Sequence, residues 1–261
     1  MNSTKNKLNK KSKMPFNINR KSFLGVLSLA YQEIIDSFLT KTKIKKPKEE
    51  EVLDLVRLKA TKNDPRSVLK IIDAYAYRKT FLMNIGDQKG LLLEKAIKDS
   101  NAKNILELGV YLGYSTIRIL NSLREDSKLT SLETNEKFAR IAKEHISIAG
   151  LSKNHDLKIG TSSNLITELN EPFDFVFIDH WKDLYLSDLK LLETMGLLKK
   201  GAWIFADNVV LFNLEDYLDY VRTSSDYSSK FIPTLREYSK SHPDGVETVS
   251  YTHLTLPTMR L

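Results

Sequence analysis

A chain of 261 residues, 41% hydrophobic and 28% charged, is long enough to bury one core and carry an appendage. It contains no cysteine, which excludes a disulfide framework and a thiolate metal site. The net charge of +7 is unevenly placed: residues 1–50 hold twelve Lys and Arg against four acids, leaving the other 211 residues at about −1, so nucleic acid is not the expected partner of the body.

The opening MNSTKNKLNKKSKMPFNINRKS is rich in Lys, Asn and Ser, with too few apolar residues to offset the entropy of ordering it; a disordered arm is expected. In FLGVLSLAYQEIIDSFL, residues Phe23, Leu27, Tyr31, Ile34 and Phe38 recur at helical spacing. The apolar run from Phe23 to Ala30 falls well short of the roughly 20 residues a bilayer span needs. An amphipathic docking helix in peripheral contact with a membrane surface is one reading, and a targeting segment is the other. TKTKIKKPKEEE then reads as a charged linker in which Pro47 discourages continuation of the preceding helix.

From residue 51 helices and strands alternate. EVLDLVRLKA and SVLKIIDAYAYRKTFL have helical patterns; NILELG, LTSLE, FDFVFID and AWIFADN read as buried strands; YSTIRILNSL, EKFARIAKEHISIAG and YLSDLKLLETMGLL are helical between them. Asn135 and Gly150 supply a helix start and stop. Strands that are apolar almost throughout and separated by single helices imply a mostly parallel sheet covered on both faces, a doubly wound α/β fold of Rossmann-like type. The expected organisation is an N-terminal extension over 1–50, a single domain over 51–247 and an atypical tail over 248–261.

Ligands of such a sheet bind outside the carboxyl ends of its strands. Four predicted strands end in polar residues there: Glu107 followed by Gly109, then Glu133, Asp179, and the pair Asp207 and Asn208. In ELGVYLGYS the glycines follow G-x-x-x-G rather than the dinucleotide G-x-G-x-x-G, which favours another nucleoside ligand. Glu133, closing the next strand, is placed as a carboxylate that accepts from ribose hydroxyls is placed. Asp179, Asp207 and Asn208 are hard oxygen donors suited to Mg²⁺, although each alone also reads as a turn or a cap. Lys182, three residues beyond Asp179, is a candidate base. His180 competes for that role, with a histidine bonded to backbone as the plainer reading. Trp181 reads either as an aromatic wall or as a core residue.

Five segments in this order resemble the S-adenosylmethionine-dependent catechol O-methyltransferase family: MNIGDQKG (83–90), ILELGVYLGYS (105–115), FIDHWKDLY (177–185), LLKKGAWIFADNV (197–209) and LREY (235–238). The resemblance implies Mg²⁺ held by Asp179, Asp207 and Asn208, Lys182 as catalytic base, and Glu237 hydrogen-bonded to a hydroxyl of a small catechol substrate. It implies that Glu133 binds the cofactor ribose and that Glu107, Gly109, Tyr111 and Ser115 form the cofactor loop. Met83 and Asn84 would touch the cofactor from the preceding segment, Ser162 and Trp181 would hold the adenine, and His180 would line the methionine side. Phe81 stands where the family usually has tryptophan and Phe212 where it usually has proline, so the walls of the acceptor site differ. The tail TVSYTHLTLPTMRL leaves the family pattern and resembles translated sequencing adapter more than a native terminus, so damage to the last strand is expected. A cytoplasmic monomer is expected, with targeting by residues 1–50 as the alternative.

Overall fold

The computed structural model describes residues 46–252 and, before them, Leu27, Tyr31 and Ile34, which are helical. The rest of the basic arm, its docking helix, and the tail after Thr252 lie outside the described residues. Residues 48–51 of the expected linker instead open α1 (Lys48–Lys59). Pro47 sits just before it, where its missing N–H costs nothing and its φ of −51° leads into the helix. Glu49, Glu50 and Glu51 fill the first turn of that helix, matching the positive end of its dipole.

Between residue 46 and the first strand lie three helices: α1, α2 (Pro65–Arg78), capped by Asp64, and α3 (Gly86–Ser100). Then β1 (Asn104–Leu108), α4 (Tyr114–Ser122), β2 (Lys128–Glu133), α5 (Glu136–Ile148), β3 (His155–Ile159), α6 (Ser162–Ile166), β4 (Phe173–Ile178), α7 (Tyr185–Thr194), β5 (Leu198–Ala206), α8 (Glu215–Thr223), β6 (Tyr227–Leu235) and β7 (Pro243–Tyr251) follow in the described residues. Asn135 caps α5 by accepting from the N–H groups of Lys137 and Phe138, as the sequence predicts. The helix expected through Leu82 stops at Arg78, and residues 79–85 form an irregular segment before α3.

The sheet order is β3-β2-β1-β4-β5-β7-β6. The first five strands are parallel, and β7 runs antiparallel between β5 and β6. Alternation along β4 divides the core: Phe175 and Phe177 pack with α1 to α5, while Val176 and Ile178 pack with α6, α7 and α8. All four are fully buried, which is the physical basis of a sheet covered on both faces. β7 continues past Glu247 to Tyr251, pairs Thr248, Val249 and Ser250 with β5 as well as with β6, and buries Val249, so the first residues of the tail are part of the sheet. No helix among the described residues is long and apolar enough to cross a membrane.

Candidate active site

The carboxyl ends of β1, β2, β4 and β5 lie side by side, and the backbone ladder sets the heights of their last residues. Ile178 of β4 pairs with Ala206 of β5, so Asp179 and Asp207 are the next residues on adjacent parallel strands. The Asp207 N–H donates to Ile178 O at 3.1 Å and the Asp179 N–H to Leu108 O at 2.9 Å. Two residues far apart in the chain thus meet because they leave the same sheet edge.

Asp207 is buried, and its two oxygens are treated differently. Oδ1 lies 2.8 Å from Lys89 Nζ and accepts the Asn208 N–H at 2.7 Å, whereas Oδ2 is buried with no hydrogen-bond partner. Lys89, from α3, also reaches Glu237 Oε2 and Asp244 Oδ2, each at 2.9 Å. Asn208 Nδ2 donates to Asp244 at 2.8 Å and to Glu237 at 3.3 Å. Burial pushes the Asp207 carboxyl up to about 8, against the downward pull of Lys89 and with Asp179, Asp244 and Glu237 adding to the rise. Burial also disfavours the charged forms of Asp244 and Lys89. At Lys89 the charges of Asp207, Asp244 and Glu237 outweigh it and hold the ammonium well above its usual range; at Asp244 the Lys89 ammonium, with hydrogen bonds from Asn208 and the Gly245 backbone, outweighs it and holds the carboxyl below its usual range. One ammonium facing three buried carboxylates leaves excess negative charge that a further cation would relieve.

The base candidate is fixed by the same edge. Lys182 Nζ donates to Asp179 Oδ1 at 2.8 Å and to Tyr185 Oη at 2.7 Å, and Tyr185 Oη in turn donates to Asp207 O at 3.2 Å. Lys182 Nζ also lies 5.5 Å from the centre of the Phe212 ring. His180 Nε2 meets Asp188 Oδ2 at 2.8 Å, so its partner is a buried carboxylate rather than backbone. Its ring stacks on Tyr185, and its Nδ1 is buried without a partner. Trp181 is 74% exposed, which rules out the core reading.

The loop after β1 is strained where it turns. Gly109 and Gly113 have φ of 93° and 79°, and Tyr111 between them has φ of 50°, a left-handed conformation that costs a non-glycine residue about 1–2 kcal/mol. Asn208 and Tyr238, beside Asp207 and Glu237, share it at φ of 56° and 55°. Such outliers cluster where function demands them. Glu133 holds the loop from the next strand: its Oε2 accepts the N–H groups of Val110 and Tyr111 at 3.1 and 2.9 Å, and its Oε1 accepts that of Asn135 at 2.8 Å. Glu107 is fully buried and accepts from the hydroxyls of Ser115, Thr116 and Ser131 at 2.6–2.8 Å. Burial raises its carboxyl to about 7 despite those three donors. Asn84 is buried with neither side-chain polar atom bonded, while neighbouring Met83 is exposed. Ser162 begins α6, and Ser163 beside it donates to Asp188 Oδ1 at 3.2 Å, the carboxylate that also holds His180.

Among the described residues no group of three or more His, Cys, Asp and Glu side chains is arranged to hold a metal ion. The predicted set has only two acids and takes its third oxygen from an amide. The donors nevertheless suit a hard cation, because Asp207 Oδ2 is a buried oxygen without a donor and the charge around it is in negative excess. Sequence reasoning missed Lys89, Asp244, Tyr185 and Asp188. Lys89 and Tyr185 lie inside MNIGDQKG and FIDHWKDLY, but nothing in one-dimensional spacing shows a lysine to be buried among acids.

Residues 59–218 match the model of a family described as O-methyltransferase. Catechol O-methyltransferase B of Danio rerio is 38% identical over 230 residues, covering 86% of this chain and 87% of that protein. Catechol O-methyltransferase of Mus musculus is 36% identical, covering 87% of each. Among solved structures, the O-methyltransferase TomG from Streptomyces achromogenes in complex with SAM superposes with a TM-score of 0.63 at 23% identity, over 71% of this chain and 89% of that one. The O-methyltransferase from Bacillus cereus in complex with SAH gives 0.61 at 22% identity, over 86% and 100%; these two establish the fold. The chain therefore belongs to the O-methyltransferase family, in the group of the catechol O-methyltransferases.

Proposed function

We propose that this chain transfers the methyl group of S-adenosylmethionine to one hydroxyl of a catechol in a Mg²⁺-dependent reaction. The names of its relatives support the acceptor class, and the SAM and SAH complexes of proteins with the same fold support the donor. The observation that carries the reading is the meeting of Asp179, Asp207 and Asn208 at one sheet edge, with Asp207 Oδ2 buried and undonated.

In this reading Asp179, Asp207 and Asn208 hold the ion, whose charge the two carboxylates balance. When bound, Mg²⁺ would supply Lewis acidity to two adjacent phenolic oxygens, making their proton easier to remove. Lys182 Nζ accepts that proton from the hydroxyl that becomes the nucleophile, and Glu237 accepts a hydrogen bond from the other hydroxyl. Asp179 and Tyr185 keep Nζ in place. Phe81 and Phe212 wall the aromatic ring. Glu133 takes the ribose of the methyl donor, Met83 and Asn84 touch it from the segment before α3, Ser162 and Trp181 flank the adenine, and His180 lines the methionine side. Glu107, Gly109, Tyr111 and Ser115 shape the loop against which it lies; the unbonded polar atoms of Asn84 are the feature that fits a ligand there. Because the sulfonium methyl is already electrophilic, what the chain must supply is alignment. Holding the reacting atoms about 3–3.5 Å apart is worth roughly 7–11 kcal/mol of barrier.

The test is a methyl-transfer assay with dihydroxybenzoate and with dopamine, with Mg²⁺ and after chelation by EDTA. Methylated product that disappears with EDTA and returns with Mg²⁺ is expected. Turnover indifferent to EDTA would remove the metal from the reaction, and turnover confined to caffeoyl-type phenols would reassign the acceptor.

A further inference from the structure

We propose that Lys89 is a positioning residue that makes Asp207 a one-oxygen ligand and so selects Mg²⁺ over Ca²⁺; this rests on the metal reading above. Lys89 lies on α3, remote in sequence from every other member of the cluster, and is 1% exposed. Its ammonium has three protons to donate and stands within 2.9 Å of three carboxylates, those of Asp207, Glu237 and Asp244. The consequence for Asp207 is asymmetric. Oδ1 is occupied twice, by Lys89 Nζ and by the Asn208 N–H, whereas Oδ2 has no donor.

Asn208 is sorted in the same way. Its Nδ2 is committed to Asp244 and Glu237, which leaves Oδ1 as its available end. The cluster thus offers a cation one oxygen from each of these two residues. That pattern has different value for the two common hard cations. Mg²⁺ requires near-octahedral single-oxygen contacts at about 2.0–2.1 Å, whereas Ca²⁺ takes 6–8 oxygens at about 2.3–2.6 Å and readily uses both oxygens of one carboxylate. A carboxylate pinned at Oδ1 by a buried ammonium cannot turn to present both oxygens. Lys89 therefore withholds the coordination that the larger ion gains most from. With Asp207 ionised to take the ion, three carboxylates against one ammonium leave a charge of −2, which either ion would balance, so charge alone does not discriminate and the pinning does.

The experiment compares Mg²⁺ and Ca²⁺ affinities of the full chain by their displacement of Mn²⁺, read by electron paramagnetic resonance in the absence of acceptor. Wild type, Lys89→Met and the double variant Lys89→Met/Asp244→Asn are used, each checked by circular dichroism and by S-adenosylmethionine binding. The single variant removes a positive charge, so both ions should bind more tightly. The double variant keeps the cluster at −2, which protects the fold from an unpaired buried charge. In both, the Mg²⁺ preference over Ca²⁺ should fall by about tenfold or more, the scale on which loss of an outer partner changes a metal site. An unchanged preference in a folded variant overturns the role of Lys89, and so does a wild type that binds Ca²⁺ as tightly as Mg²⁺. A wild type that binds no divalent ion would instead remove the metal reading on which the inference rests.

Discussion

Replacing Gly109 by alanine tests whether the cofactor loop and the metal edge are mechanically one unit. A Cβ on Gly109 would stand 2.5 Å from Asp179 O, 2.9 Å from Asp179 C and 2.9 Å from His180 Cα. Ordinary contact begins at 3.4 Å, so the end of β4 would have to move by roughly 0.9 Å, and every blocking atom is backbone that cannot rotate away. The φ of 93° adds a left-handed cost of about 1–2 kcal/mol for alanine, and the displacement adds about 1 kcal/mol more. The expected loss of stability, about 2–3 kcal/mol, corresponds to a melting temperature lower by about 4–12 °C for a domain of this size. A misplacement near 1 Å costs about 10²-fold in turnover, equivalent to about 2.7 kcal/mol of barrier, and it should fall on kcat because Asp179 carries the base partner. Differential scanning fluorimetry, S-adenosylmethionine titration calorimetry and initial-rate kinetics on dihydroxybenzoate read the three quantities. A Gly109→Ala enzyme with kcat within about twofold of wild type and a melting point within about 2 °C would refute the coupling of loop to strand end.

Lys182→Ala should lower kcat by about 10²–10³-fold with S-adenosylmethionine affinity nearly unchanged; an equally active variant would assign the proton to another base. The raised carboxyl of Glu107 makes a pH prediction. Its native form holds a proton more tightly than the unfolded chain, so its contribution is fully present below about 4.5 and lost as pH rises through about 7. The loss is on the order of 3 kcal/mol, and urea titrations at several pH values should show wild-type stability declining over that window more steeply than Glu107→Gln; parallel curves would exclude it. Ending the chain at Glu247 removes the partners of β5 and β6 at Thr248, Val249 and Ser250 together with a buried valine. Such a chain should fail to fold by circular dichroism, and a cooperative native-like melt would show those residues to be dispensable.

The strands were legible because their chemistry is local. FDFVFID and NILELG are apolar on both faces, which only a sheet buried on two sides accommodates, and their polar last residues mark the edge where ligands bind. β3, β6 and β7 were not legible. Residues 227–235 alternate between exposed and half-buried along most of their length, and β7 carries Pro243, Gly245 and buried Asp244 and Glu247, a composition that reads as a turn until the neighbouring strands supply partners. Glu247 bonds Arg222 and Ser229, and Asp244 bonds Lys89 and Asn208, so their burial depends on partners remote in sequence. The end of α2 was misjudged for the same reason, since the apolar Phe81 and Leu82 continue a helical pattern but pack from an irregular segment.

What this sequence determined by itself is therefore the layer order, the polar strand ends, and the types of side chain delivered to them, because hydrophobic periodicity and residue chemistry are properties of neighbours along the chain. Tertiary structure alone decided which oxygen of Asp207 is left undonated, that a buried lysine from α3 stands between Asp207, Glu237 and Asp244, and that His180 answers to Asp188. These are matters of direction and burial among residues up to 155 positions apart. A hydrogen bond depends on where two groups point in space, and only the packed sheet and its helices fix that.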